Sequence, residues 1–240
     1  RCALNNFYDR DIDPYMSRTK NRAVADGRMK PSTALWLGIF LSVVGFSLLA
    51  LGVNALAAFL AFIGFFTYVV IYTMWLKRNS TWSTVVGGIS GAVPPIIGWT
   101  AYTQTLDYSA CALFLILFAW QPPHFFALAM LKMKEYKKAG VPMLPVVKGF
   151  LETKRQMLFF TMMLLPSSLI LFYTGVSSWI YLIVSFILGM IYIVLAIQGF
   201  RVKDDNKWAK QMFLFSLLYL TGIIFGMIVD VTVFEWINQF

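Results

Sequence analysis

Three carboxylates near the start of the chain could bind a hard cation. Asp9, Asp11 and Asp13 stand among four basic residues between positions 5 and 22, whereas the whole chain is 59% hydrophobic and only 13% charged. Carboxylates beside so apolar a chain are costly unless they bind something. Mg²⁺ takes few protein ligands and completes its shell with water and phosphate oxygens. We therefore expect a cation that carries a phosphate-bearing substrate.

The spacing of these acids selects two of them. Asp9 and Asp13 are four residues apart, so a helix would place both on one face, with Asn6 three residues before Asp9. Asp11 would point elsewhere, and Pro14 predicts that the helix ends or kinks there. We predict that Asp9, Asp13 and Asn6 are the Mg²⁺ ligands. The alternative is a solvated loop whose acids pair with neighbouring basic residues, and spacing alone does not decide between them.

Basic residues follow the acids at a spacing that suits an anionic substrate. Arg18 and Arg22 are four residues apart, with Lys20 between them. Guanidinium groups hold phosphate oxygens bidentately, so beside Mg²⁺ they would neutralise a diphosphate leaving group. We assign catalytic roles to these two arginines and to both predicted carboxylate ligands. Lys20, Asn5 and Asn6 are predicted substrate contacts. The alternative for each arginine is a charge that only sets the membrane orientation.

The chain has one histidine, His124, in the segment Trp120-Gln121-Pro122-Pro123-His124-Phe125-Phe126. It lies in an apolar stretch, about two helical turns from a basic loop. Polar side chains at that depth usually face the bundle interior. His124 could ligate haem iron or another metal, shuttle a proton, or make a structural hydrogen bond to a neighbouring helix. The sequence leaves these alternatives open.

The elements that position these residues are transmembrane helices. Mean hydropathy is +0.71, and uncharged segments close to the ~20 residues that a spanning helix needs recur along the chain. A transmembrane β-barrel would alternate apolar and polar residues, and this sequence does not. We predict an all-α polytopic membrane helical bundle with seven spans: 33–53, 55–76, 84–102, 108–131, 157–175, 177–200 and 211–229.

Basic residues are confined to alternate connections between the predicted spans. All twenty Lys and Arg lie in residues 1–32, 77–83, 132–156 and 201–210. The positive-inside rule puts these segments on the cytoplasmic side, or on the matrix side of a mitochondrial inner membrane. A basic membrane face explains the net charge of +9, so nucleic acid is not an expected partner. The expected partner is the lipid bilayer.

The chain reads as one membrane domain, residues 1–240. Prolines at 94–95, 122–123 and 166 predict interrupted spans beside a cavity. The small residues Gly87-Gly88-Ile89-Ser90-Gly91 predict close helix packing. The chain lacks an initiator Met, and we expect it to begin partway through a larger protein, lacking its first one to two helices.

Four segments together resemble the intramembrane prenyltransferases of the UbiA superfamily, and within it the haem branch of protohaem farnesyltransferases. The resemblance runs from residue 2 to at least 150, and the later helices fit in number. The first segment identifies the superfamily, and the last two are specific to the haem branch. The segments are Asn5-Asn6-x-x-Asp9-Arg10-Asp11-Ile12-Asp13, Met16-Ser17-Arg18-Thr19-Lys20-Asn21-Arg22, Gln121-Pro122-Pro123-His124-Phe125 and Ala139-Gly140-Val141-Pro142-Met143-Leu144-Pro145-Val146-Val147.

The resemblance implies a nine-helix bundle around a cavity, with two acidic motifs holding Mg²⁺ and diphosphate. This chain departs from the second motif: it has Lys132-x-x-x-Tyr136 where most members have DxxxD, with Glu135 the only nearby acid. A second Mg²⁺ site is therefore in doubt. Lys132, Lys134 and Tyr136 are predicted to contact diphosphate instead.

The implied reaction transfers farnesyl from farnesyl diphosphate to a vinyl carbon of haem B, giving haem O for terminal oxidases. Haem A synthase and oxidase assembly factors are implied partners, His124 is an implied haem contact, and the membrane is a bacterial cell membrane or mitochondrial inner membrane. One alternative is a UbiA-type enzyme with an aromatic or quinone-precursor acceptor. The other is a transporter, which we disfavour because the predicted spans contain no charged residue.

Overall fold

The chain folds entirely into helices and turns over the residues that the structure describes. This computed structural model describes the backbone of residues 1–237 and the side chains of residues 1–233. The predicted all-α fold is confirmed. We number the α-helices in chain order: α1 Cys2–Tyr8, α2 Pro31–Gly52, α3 Ala55–Asn79, α4 Ser83–Thr103, α5 Tyr108–Leu131, α6 Met133–Lys138, α7 Leu144–Val147, α8 Gly149–Tyr173, α9 Trp179–Gln198 and α10 Asp205–Ile237; a short 3₁₀ turn covers Asp13–Tyr15.

Seven of these helices, α2 to α5 and α8 to α10, are long and apolar enough to cross a membrane. The number matches the prediction. Four predicted spans agree with their helices to within two residues at each end, and a fifth, 55–76, agrees to within three. Large side chains on their outer faces are exposed, among them Leu51 at 90% and Trp36 at 68%. Lipid rather than water is the solvent that suits such faces. The chain is therefore a multi-pass membrane protein.

Two predicted spans begin too late. α8 starts at Gly149 and α10 at Asp205, because each helix opens with a charged turn that a hydropathy pattern excludes. The expectation of spans without charge is also wrong. Lys154 in α8 is 7% exposed, and Asp230 in α10 is 1% exposed. The argument against a transporter that used this expectation therefore falls.

The prolines do not break the helices. α4 runs through Pro94 and Pro95, α5 through Pro122 and Pro123, and α8 through Pro166. The one departure from α-helical geometry among the spans is in α3, where Thr67–Leu76 is π-helical. No proline lies in that segment, so the sequence pattern gave no sign of it. π-Helical turns are rare in proteins, and those that occur often lie at functional sites.

By its internal contacts the chain divides into two compact units. The first unit comprises Arg1–Thr105 and Lys132–Val147. In it α1 packs on α2, α2 on α3 and α3 on α4. The helices approach closely at glycines. A Cβ on Gly38 of α2 would lie 2.6 Å from Cγ of Leu4, so Gly38 lets α1 lie directly on α2.

A second close approach supports the π-helical segment. A Cβ on Gly87 of α4 would lie 2.9 Å from the ring of Tyr72, so the small-residue run of α4 serves packing, as predicted. This contact seats α3 where its last turn carries Lys77 and Arg78 towards the acids that follow α1.

The second unit comprises Leu106–Leu131 and the chain from Lys148 onward. α5 packs on α8 and α10, and α9 packs on α8 and α10. Its buried interior is rich in aromatic rings, including Phe126, Tyr181, Tyr192, Trp208 and Tyr219.

One ion pair and one helix cap hold the ends of these helices. At one end Lys154 bonds Asp205 at 2.5 Å and lies 5.4 Å from the centroid of the Trp208 ring. At the other, Asp230 accepts bonds from the backbone N–H and the hydroxyl of Ser178 and from the N–H of Tyr181. Asp230 lies just beyond the predicted end of the last span at 229, but it is a helical residue of α10 and caps α9.

Candidate active site

The first predicted metal ligand follows the end of α1 rather than lying within a longer helix. α1 ends at Tyr8, and the Asp9 N–H closes its last turn on the carbonyl of Asn5 at 2.9 Å. The chain then turns, and Asp13 opens the 3₁₀ helix with Pro14 next to it. The expectation that one helix carries both acids as far as Pro14 is therefore wrong. The Asp13 N–H still bonds the Asp9 carbonyl at 2.8 Å, so one tight turn keeps the two acids together.

Asp9 is a fully buried carboxylate, 0% exposed. Its Oδ2 accepts a bond from Asn5 Nδ2 at 2.6 Å and is in contact with the ammonium of Lys77. Its Oδ1 is buried and has no hydrogen-bond partner. Burial raises the pKa of Asp9, and the charge of Lys77 opposes that shift. A buried carboxylate oxygen without a partner is the atom here that most needs a cation or a donor.

Asp13 is the second buried carboxylate, 1% exposed. Arg22 Nη1 donates to its Oδ1 at 3.0 Å and to its Oδ2 at 2.9 Å, and also reaches Asn5 Oδ1 at 3.1 Å. The same nitrogen lies 3.8 Å from Asp9 Oδ2. Arg22 therefore joins Asp9, Asp13 and Asn5 into one polar cluster.

The remaining residues of the first segment lie outside this cluster. Asp11 is exposed and pairs with Arg78 at 2.6 Å. That bond chiefly lowers the pKa of Asp11. Asn6 is half-buried, and Asn5 is the residue whose side-chain amide bonds Asp9 directly. Arg18 and Lys20 are exposed.

The cluster has the donor set that a divalent cation needs, although it is small. Over residues 1–233, whose side chains the structure describes, there is no group of three or more His, Cys, Asp or Glu side chains that could hold a metal. Two buried carboxylates on adjacent turns, one with an unpartnered oxygen, nevertheless suit Mg²⁺ because water and phosphate oxygens supply its other ligands. The residues present therefore fit the ion.

α6 joins the same unit through a second set of contacts. Glu135 accepts bonds from the backbone N–H of Ser17 at 3.0 Å and from its hydroxyl at 2.9 Å. Lys132 donates to Glu135 at 2.8 Å. These bonds, led by that from Lys132, lower the pKa of Glu135. We call Ser17, Lys132 and Glu135 the α6 clasp.

The other predicted diphosphate contacts lie around this clasp. Tyr136 is half-buried next to Arg18, and burial raises the pKa of Tyr136. Lys134 is exposed. Of the three residues predicted here, Lys132 is engaged with Glu135, Tyr136 lies near an arginine, and Lys134 faces solvent.

His124 lies in the second unit, 9% exposed. Its ring stacks on Trp120 and on Phe213, with centroids 4.7 Å apart in each case, and its Nδ1 lies 2.7 Å from Ser216 Oγ. The structure thus contains the structural hydrogen bond to a neighbouring helix that was one of the sequence alternatives. The bond uses one of the two ring nitrogens.

The sequence interpretation missed Lys77 as a contact of Asp9, Arg78 as the partner of Asp11, and Glu135 as the partner of Ser17. Lys77 and Arg78 were counted only as orienting charge. A signal was present, because a Lys-Arg pair at the end of a span falls on the same membrane face as the acids. The π-helical turns that direct these side chains had no signal.

Comparisons with known proteins agree with one another. The UbiA prenyltransferase family profile matches residues 1–218. A protein named protoheme IX farnesyltransferase from Geobacillus thermodenitrificans is 49% identical over 228 residues, which cover 95% of this chain and 73% of that protein. The protein of that name from Bacillus mycoides is 50% identical over 229 residues, again 95% and 73%.

A solved structure has the same fold at lower identity. It is described as giving structural and mechanistic insights into the biosynthesis of digeranylgeranylglyceryl phosphate synthase in membranes. The TM-score is 0.80 at 19% identity, over 95% of this chain and 79% of that one. At this identity the likeness concerns the fold alone.

Proposed function

This chain belongs to the UbiA prenyltransferase family, and from that premise we propose that it transfers the farnesyl group of farnesyl diphosphate to a vinyl carbon of haem B, with addition of water, to give haem O. The observation that carries the proposal is about half identity, over 95% of the chain, to proteins named protoheme IX farnesyltransferase. Haem O would then serve terminal oxidases. Haem A synthase and oxidase assembly factors are the proposed protein partners.

The buried acids are the proposed centre of the reaction. Asp9 and Asp13 would hold Mg²⁺, with Asn5 orienting the Asp9 carboxylate and Asn6 at the margin of the cluster. When bound, Mg²⁺ supplies a Lewis acid for the diphosphate oxygens. The unpartnered Oδ1 of Asp9 supports this role, since a buried anionic oxygen without a donor is unfavourable unless a cation binds it.

The basic residues around the acids would stabilise charge as the diphosphate departs. Lys77 and Arg22 already contact the two carboxylates, and substrate phosphate would add further anionic oxygens within their reach. Arg18, Lys20, Lys132, Lys134 and Tyr136 are proposed contacts at the exposed margin. Stabilising the leaving group in this way favours ionisation of the allylic C–O bond without an enzyme nucleophile.

His124 is the proposed haem contact. A neutral imidazole can bind haem iron or accept a proton, and the nitrogen opposite the Ser216 bond remains for either task. We also propose an orientation in the membrane: the basic segments would face the cytoplasm of a bacterium or the matrix of a mitochondrion.

The test compares acceptors. Membranes containing the protein would receive labelled farnesyl diphosphate, Mg²⁺ and either haem B or an aromatic acceptor. We expect labelled haem O from haem B, and loss of that product when Mg²⁺ is chelated. Labelling of the aromatic acceptor without labelling of haem would overturn the proposal in favour of another prenyltransferase.

A further inference from the structure

Ser216 joins two helices of the second unit around the single histidine. It is 0% exposed in α10. Its backbone carbonyl accepts a bond from Trp120 Nε1 at 2.6 Å, and its hydroxyl oxygen lies 2.7 Å from His124 Nδ1. That oxygen also lies 2.6 Å from the Phe213 carbonyl oxygen. Trp120 and His124 both lie in α5, and a serine that only filled space in α10 would not need these two contacts.

These distances allow the hydrogens to be assigned from the hydrogen-bond network. Ser216 Oγ and the Phe213 carbonyl oxygen lie 2.6 Å apart, a hydrogen-bond distance, and the carbonyl has no hydrogen to give. We therefore assign the Ser216 hydroxyl hydrogen to that carbonyl. With that hydrogen engaged, we assign His124 Nδ1 as the donor and the Ser216 oxygen as the acceptor.

The same assignment determines the state of the other ring nitrogen. The ring of His124 contacts Trp120, Phe125 and Phe213 and one hydroxyl. Burial among aromatic rings disfavours a charged imidazolium. In a neutral ring with hydrogen on Nδ1, Nε2 carries a lone pair.

We propose that Ser216 is a positioning residue for the haem substrate: it holds His124 in the Nδ1–H tautomer, so that Nε2 can bind the haem iron. The inference rests on the proposed function. Histidines that bind metals usually donate their other ring hydrogen to a fixed acceptor, which sets the tautomer and strengthens the ligand. Stacking on Trp120 and Phe213 fixes the ring plane in the same way.

The experiment titrates purified protein with haem B and records the Soret band. His124→Ala should abolish the histidine-ligated spectrum. Ser216→Ala should weaken haem binding by about ten- to a hundred-fold, the usual cost of losing such a partner. Ser216→Thr keeps the hydroxyl and should restore binding towards the unaltered level.

Ser185→Ala is the matched control. Ser185 is 1% exposed in α9, and its hydroxyl donates to the Leu182 carbonyl three residues before, as that of Ser216 does. The Ser185→Ala protein should bind haem as the unaltered protein does. Equal losses in Ser185→Ala and Ser216→Ala would show a packing effect and overturn the inference, as would unchanged binding in Ser216→Ala.

Haem O formation is measured on the same samples. If the unaltered protein makes haem O and His124→Ala leaves the spectrum unchanged, the role of Ser216 is wrong while the proposed function stands. If the unaltered protein makes no haem O from farnesyl diphosphate and haem B, the proposed function itself fails, and with it the inference.

Discussion

The charge on Asp9 is balanced by a few neighbours, and this balance decides what each substitution costs. A buried carboxylate loses its hydration, and Lys77, Arg22 and Asn5 only partly replace it. Removing one member of a buried ion pair leaves the other uncompensated, whereas an exposed pair contributes little. The end of α3 provides one example of each: Lys77 pairs with the buried Asp9, and Arg78 pairs with the exposed Asp11.

Lys77→Met should therefore destabilise the protein by about 3–5 kcal/mol, because it removes the cation nearest to the buried Asp9. Arg78→Met, which removes the exposed partner of Asp11, should cost about 1 kcal/mol or less. The measurement is the free energy of unfolding in detergent. Adding Asp9→Asn to Lys77→Met should recover most of the loss, and equal effects of the two single substitutions would contradict this account.

Arg22 acts through the reach of its side chain as well as its charge. Arg22→Lys keeps the charge, but its side chain is shorter, so its ammonium would not reach Asp13 and Asn5 as Nη1 does. We expect haem O formation to fall by about ten- to a hundred-fold, the scale of a misplaced catalytic group. Arg28→Lys, at an exposed pair with Asp26, is the control and should be neutral. Full activity in Arg22→Lys would reduce its role to orienting charge.

At the scale of elements, hydropathy predicted which segments span the membrane but not how the helices end. Seven uncharged segments gave seven spans, because lipid requires about 20 apolar residues for each. The charged first turns of α8 and α10 were left out of the predicted spans for the same reason, because a search for apolar segments excludes charged residues. In the π-helical segment of α3 the ring of Tyr72 packs closely against Gly87, a long-range contact that no local pattern encodes.

The α6 clasp should open in acid. The pKa of Glu135 is lowered from its ordinary 4.5, so its stabilising contribution is present above that value and is lost as the pH falls through the lowered pKa. A spin label at Lys138→Cys, with the free Cys2 and Cys111 replaced by Ser, should become more mobile below about pH 4.5.

Glu135→Gln provides the comparison for the clasp. It removes the charge, so the label should be mobile already at neutral pH and respond little to acid. Glu152→Gln, which alters an exposed pair with Arg155 in α8, should leave the label unchanged. A label equally immobile in Glu135→Gln and in the unaltered protein would show that the clasp does not hold α6.

Asp230 caps α9 from another helix. Ser178, the residue before α9, makes no side-chain cap of its own, and Asp230 accepts hydrogen bonds from Ser178 and Tyr181 instead. Asp230→Ala should cost about 2 kcal/mol of unfolding free energy, the upper range for a lost cap. Ser178→Ala loses one hydroxyl bond and should cost about 1 kcal/mol. Equal stability of Asp230→Ala and the unaltered protein would refute the capping role.

For the whole molecule, composition and motif resemblance predicted the family, while tertiary contacts decided the roles of single residues. The spacing of Asp9 and Asp13 was sufficient to bring them together, even though the helix that was expected to do so ends at Tyr8. Lys77 lies 68 positions from Asp9, and Ser216 lies 92 from His124. Contacts at such separations cannot be read from spacing, so these partners required the structure.

The most direct test of the central claim is the product made by the protein and by Asp9→Asn in water enriched in ¹⁸O. With haem B, farnesyl diphosphate and Mg²⁺, we expect mass spectrometry to detect haem bearing one farnesyl group and one solvent-derived oxygen. Asp9→Asn should reduce this product by at least about a hundred-fold, with Asp11→Asn close to unaltered. Undiminished product from Asp9→Asn, or a farnesylated product that does not derive from haem, would contradict the claim.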